Sequence, residues 1–585
     1  MLRIRWSLAI LMVVGYSLPA EAQLPETCSL YQKWKKDNGE GDCSAFLESS
    51  YFEVTPVTPD PDEGTLFARK VPKCKDGTDT GCASIEIKSL DGTRPYYFID
   101  PPNLGVESSN KWVIAFEGGG SCGALRGDNA ATACMTGTQD PNDNYAFNGY
   151  DVFTGDPDYK EMTTRHPKID IATGLPIYTI PKRMTGKGIL SPDAANAFSS
   201  YNRVLVNKSS FDRFMGNTKS TSTYNGDNVE LFFHGRRIIS AMLKDLDRTN
   251  GAISVGSNCP NWLEINCQTV EDFSAATQVV VVGESGGAGG IIHNMEFIKG
   301  AILNRAPSAK VVFLLTSRML PWLEAEIHWG GSGNSGIWDD IYSGLSTIQG
   351  NLGTPNAVTQ YSSAAYQAGG SVRGLLNSWG NPASATDLFL DASCKAAHGS
   401  NDWRCFDEGH VALYHMEEDV FWFESLFDGV HGRSSPMSFV DIAHFGNDVV
   451  DLDTWGGFLF IPPDTIDPPN SVNWSFSNAR ANRVIYTSES MLQQHPGAGV
   501  LGFYEPAINC HTTIFSSAFW SDKLEKNGGS ATSLQTAFMG WLTAIVAGGG
   551  QDRAWIQDGN SPEALFWSNG IYGGGWTTNS ATCPR

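Results

Sequence analysis

The chain has 585 residues, of which 41 % are hydrophobic and 18 % are charged, and its formal net charge is −22 at pH 7. A surface this acidic disfavours binding to nucleic acid and to anionic membranes. The length exceeds that of a usual single domain, so the chain forms either one large domain with insertions or two domains.

Residues 1–22 have the pattern of a secretory signal peptide. Two arginines precede the apolar run Leu8 to Val14, and Ala20-Glu21-Ala22 fits the small residues of a cleavage site. We therefore predict cleavage after Ala22 and a secreted, extracellular protein. The apolar stretch Ala537 to Ala547 is too short to span a bilayer and predicts a buried helix, so no membrane anchor is expected.

Twelve cysteines follow the signal peptide, and an even number in an oxidising compartment predicts disulfide bonds. There are no C-x-x-C doublets and no clustered histidine partners, so neither a metal site nor a metal cofactor is expected. Pairing each cysteine with its nearest neighbour gives the hypothetical bonds Cys28–Cys43, Cys74–Cys82, Cys122–Cys134, Cys259–Cys267, Cys394–Cys405 and Cys510–Cys583.

The remaining chain predicts an N-terminal arm held by disulfides at 23–83 and one domain at 84–585, with loop-rich insertions at about 123–195 and 325–410. Strands and helices alternate through its centre, which predicts an α/β-hydrolase-like fold with a mostly parallel central sheet and helices on both faces. The predicted strands are Ser84–Lys88, Tyr96–Ile99, Lys111–Phe116, Tyr201–Val206, Val279–Val282 and Lys310–Thr316, and the predicted helices are Val229–Leu246 and Ile291–Arg305.

A serine among glycines follows the strand Val279–Val282. The segment Gly283-Glu284-Ser285-Gly286-Gly287 fits the G-x-S-x-G nucleophile elbow, in which a serine occupies a strained turn between a strand and a helix. The alternative is a turn that binds phosphate, as in dinucleotide folds. Glu284 would repel a phosphate there, which favours the nucleophile.

A second glycine cluster, Glu117-Gly118-Gly119-Gly120-Ser121-Cys122, follows the strand Lys111–Phe116. Serine hydrolases build an oxyanion hole from the N–H of the residue after the nucleophile and an N–H from a loop after an earlier strand. Such a cluster alone is typical of a tight turn. Upstream of the Ser285 elbow, it predicts the oxyanion loop.

The remaining members of a catalytic triad should follow Ser285 in the order carboxylate, then histidine. Asp428 comes after an apolar stretch, as the carboxylate should, and a histidine late in the chain should follow the last strands. The residues alone leave rivals open: Asp419, Asp451 and Asp453 for the carboxylate, and His444 and His495 beside His511 for the base.

Several blocks, taken in order, resemble the pectin acetylesterase and Notum family of secreted serine esterases. The resemblance implies Ser285 as nucleophile, Asp428 as orienting acid and His511 as base, with the N–H groups of Gly119, Gly120 and Gly286 as the oxyanion hole and no cofactor. The blocks are Leu90-Asp91-Gly92, Tyr96-Tyr97-Phe98, Glu117 to Cys122, Gly188 to Ser191, Tyr201 to Val204, Phe233 to Ile238, the Ser285 elbow, Trp403 to Phe406 and Leu426 to Asp428.

The chain departs from the family pattern at three positions. Ser121 replaces a tryptophan, Gly286 replaces an alanine, and Cys510 directly precedes His511 instead of lying three positions before it. The substitution at Gly286 should be tolerated because only its N–H is used.

The resemblance implies a secreted carboxylesterase whose substrate is an ester-bearing polysaccharide, such as O-acetylated pectin. Its alternatives are a fatty-acyl (palmitoleoyl) ester on a protein, as in the Notum branch, and a catalytically silent homologue that binds carbohydrate or acyl groups. A dinucleotide-binding oxidoreductase is disfavoured. Glycosylation sequons occur at Asn207 and Asn473.

Overall fold

The structure is a computed structural model. It describes residues 27–29, 66–74, 86–90, 92, 94–100, 102, 110–118, 168–169, 176–177, 183–184, 186–224, 226–247, 253–255, 268–270, 272–318, 390–399, 405, 408–425, 488, 491–492, 499–505, 514–515, 517–521, 533–549 and 553–556.

A ten-stranded sheet forms the centre of the described structure, with the strand order β17-β16-β15-β14-β13-β4-β8-β3-β2-β7. The seven strands from β17 to β8 run parallel to one another, whereas β3 is antiparallel to both β8 and β2. The strands of this sheet are β2 Leu66–Lys70, β3 Tyr96–Asp100, β4 Lys111–Phe116, β7 Arg183–Met184, β8 Asn202–Val206, β13 Gln278–Glu284, β14 Lys310–Thr316, β15 Val420–Phe423, β16 Leu501–Glu505 and β17 Arg553–Ile556.

Smaller sheets accompany the central one. Strand β1 pairs parallel with β10, β10 pairs antiparallel with β9, and the pairs β5–β6 and β11–β12 are antiparallel. Their bounds are β1 Thr27–Ser29, β5 Lys168–Ile169, β6 Pro176–Ile177, β9 Thr218–Tyr224, β10 Asp227–Phe233, β11 Ile253–Val255 and β12 Gln268–Val270.

Six α-helices are described. They are α1 Gly235–Leu246, α2 Gly286–Leu303, α3 Ala392–His398, α4 Glu408–Tyr414, α5 Ser517–Ser521 and α6 Leu534–Val546, with 3₁₀ turns at Gly188–Leu190 and Phe273–Ala275. Helix α2 packs on β13, β4 and β14, and α6 packs on β15 and β16. All seven residues of β13 are buried, as expected for a β-branched strand covered on both faces.

The chain order around β4 and β13 creates a switch point in the sheet. From β4 the chain continues to the neighbour β8 on one side, and from β13 it continues through β14, β15 and β16 on the other side. In open α/β sheets, ligands bind outside the carboxyl ends of the strands at such a point. This α/β-hydrolase-like architecture, mostly parallel and flanked by helices, confirms the predicted fold class.

The helix predicted at Val229–Leu246 is wrong in its first part. Residues up to Phe233 form strand β10, and helix α1 begins only at Gly235, whose N–H donates to the buried Asp212 carboxylate at 2.9 Å. A side chain distant in sequence therefore sets the start of this helix, which local periodicity did not reveal.

Other elements differ less from their predictions. Residues 86–90 are irregular instead of a strand, and helix α2 begins at Gly286 instead of Ile291. The buried helix predicted at Ala537–Ala547 is confirmed as α6. Among the described residues, no helix is long and apolar enough to cross a membrane.

One disulfide pairing is confirmed directly. Cys394 and Cys405 are bonded, with a Cα–Cα separation of 5.6 Å, and Cys74 is also disulfide-bonded. The remaining predicted pairs, the signal peptide and most of the predicted arm and insertions lie outside the described residues.

Candidate active site

Ser285 lies at the carboxyl end of β13, directly before helix α2. Its backbone has φ 50° and ψ −119°, a combination that non-glycine residues rarely adopt and that costs about 1–3 kcal/mol. The surrounding hydrogen bonds maintain it: the Ser285 N–H donates to Thr316 O at 2.9 Å, and the Gly289 N–H donates to Ser285 O at 3.0 Å. This is the strained strand-to-helix turn that the elbow motif predicts.

The backbone at the end of the neighbouring strand β4 packs closely against the Ser285 turn. A Cβ on Gly118 would lie 2.7 Å from Glu284 O and 3.2 Å from Ser285 Cβ, so only glycine fits. A Cβ on Gly287 would lie 2.4 Å from Phe116 O. Gly118, which follows β4, and Gly287 on α2 therefore allow the two backbones to meet beside the serine.

Glu117 anchors the start of the Gly118 loop. Its N–H donates to Val206 O at 3.0 Å, and its carboxylate accepts the Lys208 N–H at 3.0 Å. Burial lowers the pKa of Lys208, and the nearby Glu117 carboxylate partly opposes that change. The base of the predicted oxyanion loop is thereby held by the adjacent strand β8.

The residues that follow the parallel strands are joined across one edge of the sheet. Beside the bond from Ser285 to Thr316, the Ser317 N–H donates to Phe423 O at 3.0 Å, and the Glu424 N–H donates to Tyr504 O at 3.2 Å. The ends of β13, β14, β15 and β16 are thus level with one another, so the loops that follow them leave from the same edge as Ser285.

Glu284 connects the elbow to a distant part of the chain. This carboxylate is 1 % exposed and accepts the Ile514 N–H at 3.2 Å, while the Ile514 carbonyl accepts the Ile189 N–H at 3.0 Å. The residue that precedes Ser285 therefore holds Ile514, which comes three positions after His511 in the chain.

A buried ion cluster supports the other side of α2. The Glu408 carboxylate, 3 % exposed, pairs with Arg318 and, at 3.1 Å, with Arg213. Burial alone would raise the pKa of Glu408, but the two arginines outweigh burial and hold that pKa at about 2. A Cβ on Gly289 would lie 2.7 Å from Glu408 Oε1, so the cluster packs directly on the elbow helix.

The structure describes only some of the predicted site residues. Ser285 and Gly286 lie at the turn, whereas Asp428, His511, Gly119, Gly120 and Asn473 lie outside the described residues. Asn207 follows β8 and is 8 % exposed, so a glycan on this amide would require the surrounding chain to open.

One rival carboxylate can be placed. Asp419 precedes β15, where it accepts the Val500 N–H at 2.8 Å and pairs with Lys310 at the start of β14. These contacts lie at the amino edge of the parallel strands, opposite Ser285. Asp419 is therefore not the partner of a base acting at this serine.

Sequence reasoning missed the Glu284–Ile514 bond and the Glu408 cluster. Both join residues far apart in the chain, and no local spacing indicates them. From the sequence, Glu284 indicates only that the elbow does not bind phosphate.

Comparison with known proteins adds little to this geometry. No protein-family model and no curated protein match the chain. Two crystal forms of the Wnt deacylase Notum from Drosophila align with 15 % identity and TM-scores of 0.48 and 0.45, covering 84 % and 85 % of this chain and 97 % and 99 % of theirs. A structural similarity this weak does not establish the activity of this chain. Its function must therefore be inferred from the geometry of the site.

Proposed function

We propose that this protein is a serine ester hydrolase that acts through an acyl-enzyme on Ser285. The observation that carries the proposal is the conformation of this serine, φ 50° and ψ −119° at the carboxyl end of a central parallel strand. A strained backbone at the switch point of an α/β sheet is characteristic of a nucleophile elbow.

In the proposed reaction, the Ser285 oxygen attacks the ester carbonyl while its proton moves to His511. The tetrahedral oxyanion accepts hydrogen bonds from Gly286 N–H, at the start of α2, and from Gly119 and Gly120 on the loop that begins at Gly118. The proton then passes from His511 to the departing alcohol oxygen. Water, deprotonated by the same histidine, releases the acid and restores the serine.

Two features of the described structure support the choice of His511 and Asp428. Ile514 is held by Glu284 in the elbow, and three residues span at most about 10 Å, so this short separation along the chain supports His511 as the base. Asp428 comes three positions after Ser425, which lies beyond the carboxyl end of β15. As the orienting acid, Asp428 would hold the imidazole and stabilise its protonated form.

The proposed substrate is an O-acetyl ester on a polysaccharide, with a fatty-acyl ester on a protein as the alternative that the family resemblance also allows. We further propose that the protein is secreted, which the Cys394–Cys405 disulfide supports because such bonds persist in oxidising compartments. Turnover of p-nitrophenyl esters from acetate to octanoate and longer tests the substrate: a maximum at acetate supports deacetylation, and a maximum at long chains supports the alternative.

Replacement of the nucleophile tests the reaction itself. Ser285→Ala should lower p-nitrophenyl ester turnover by roughly 10,000-fold or more and abolish labelling by a fluorophosphonate probe. Ser317→Ala is the matched control, because Ser317 is also a buried serine with positive φ directly after a parallel strand. The control should keep both signals. Unchanged labelling of Ser285→Ala, or no labelling of the folded native protein, would exclude the proposal.

A further inference from the structure

Three histidines meet between helices α3 and α4. His398 ends α3, His410 lies within α4, and His415 directly follows α4. We call these three residues the histidine cluster. His410 and His415 are buried and His398 is half-buried, so the cluster is shielded on most sides and reaches solvent beside His398.

The Nε2 atoms of the cluster lie close together. His410 Nε2 lies 3.2 Å from His398 Nε2 and 3.2 Å from His415 Nε2. A tetrahedral zinc ion with Zn–N bonds of about 2.0–2.1 Å places neighbouring nitrogens about 3.3 Å apart, whereas a square-planar ion would place them at about 2.8 Å. The two separations from His410 Nε2 agree with a tetrahedral site.

The hydrogen bonds behind His415 orient its ring. Ser393 Oγ donates its only hydrogen to Asp391 Oδ1 at 2.8 Å, so it can only accept at its 2.9 Å contact with His415 Nδ1. The Nδ1 atom therefore carries the proton, and the lone pair of neutral His415 is on Nε2, facing the cluster. Metal-binding histidines are commonly oriented by such an outer hydrogen bond.

Hydrogen bonding among the three rings explains this geometry less well. His410 Nε2 has one in-plane position for a hydrogen or a lone pair, yet it faces two other Nε2 atoms at the same distance. A cation at the centre satisfies all three lone pairs at once.

The nearby cysteine does not complete the site in its oxidised form. The sulfur of Cys394 lies within 4.8 Å of the histidine nitrogens, but it is bonded to Cys405, and metals bind the thiolate. The disulfide instead links α3 to the segment before α4 and so holds the helices that supply the ligands. Three nitrogen ligands remain, and a tetrahedral zinc ion would take its fourth ligand from solvent.

We propose that the histidine cluster binds one zinc ion through His398, His410 and His415. The site ties α3 to α4, and Glu408 on α4 packs against Gly289 of the elbow helix, so zinc stabilises one wall of the Ser285 site without contacting the reacting atoms. The inference does not depend on ester hydrolysis, because the ligands lie outside the proposed triad.

The test measures metal content and stability on the full, oxidised chain. After chelation and equilibration with zinc chloride, native protein should hold one zinc per chain, and near-saturating zinc should raise the melting temperature by about 2 °C. Cobalt(II) should give the visible absorption of a tetrahedral site. His398→Gln, at the half-buried position, should lose the stoichiometric metal and the thermal shift while remaining folded.

Lys395→Gln is the matched control, since Lys395 lies on the same helix and is not one of the three proposed ligands; it should keep one zinc and the shift. A second ligand variant, His415→Gln, should behave like His398→Gln. Native protein that binds no stoichiometric zinc, or ligand variants that bind as much as Lys395→Gln, would overturn the proposal. A cobalt spectrum typical of octahedral coordination would overturn the tetrahedral geometry.

Discussion

The elbow and the histidine cluster differ in how their functional residues are distributed along the sequence. The elbow is five contiguous residues whose function depends on one backbone conformation, so its glycines and serine form a readable motif. The histidine cluster depends on side chains from the end of one helix, the middle of another and the residue beyond it. A site that depends on a strained backbone can be recognised from a short sequence motif. A site formed by side chains from separate segments can be recognised only from the tertiary structure.

The two regions are nevertheless joined physically. Glu408 begins the helix that carries His410, and its carboxylate pairs with Arg318, which follows β14 two positions after the strand ends. The same carboxylate fills the space that Gly289 leaves on the elbow helix. Substitutions in the elbow and in the histidine cluster should therefore have distinct effects, whereas a substitution of Glu408 should affect both regions.

The largest expected change in stability comes from breaking this junction. Glu408→Gln keeps the shape of the side chain but leaves Arg318 and Arg213 without their buried counter-charge, which should cost about 3–5 kcal/mol of unfolding free energy. Urea denaturation at neutral pH measures the loss. Glu417→Gln, on an exposed residue of the following turn, should change stability by less than about 0.5 kcal/mol. Equal effects of the two substitutions would contradict the structural role of Glu408.

The next effect tests how closely the elbow is packed. Gly287→Ala introduces a Cβ 2.4 Å from Phe116 O and 2.7 Å from Glu117 O, both backbone atoms, so β4 and α2 must separate. We expect a loss of about 2–3 kcal/mol. In Gly300→Ala, on the same helix, the new Cβ meets nothing within 4 Å, and helix propensity should add about 0.5–1 kcal/mol. Calorimetric melting of both variants should show shifts of opposite sign.

The smallest effect concerns the strain stored at the nucleophile. Ser285→Gly should raise stability by about 1 kcal/mol, because glycine accepts φ 50° without the steric cost, although its greater freedom in the unfolded chain offsets part of the gain. Ser285→Ala retains the Cβ and should show no such gain. Both variants should be inactive. If glycine gives no more stability than alanine, the turn stores no measurable strain.

The fold class could be predicted because the central strands have a recognisable local sequence pattern. The valines of β13 and the strands Lys111–Phe116 and Lys310–Thr316 are continuous apolar runs, as burial on both faces requires, and they form the centre of the parallel sheet. The start of α1 was misplaced because Val229 to Phe233 contains apolar residues at both helical and strand spacing. Pairing with β9 and the Asp212 carboxylate resolved that ambiguity.

By itself, the sequence determined the alternation of strand and helix, the serine elbow and the glycine loop upstream of it, because each depends on neighbouring residues. Only the tertiary structure decided that Glu284 holds Ile514, that Asp419 lies at the opposite edge from Ser285, and that three histidines share one centre. These are contacts between separate segments. They are decided when the chain packs its core, since no period or motif in the sequence records which distant residues will then be neighbours.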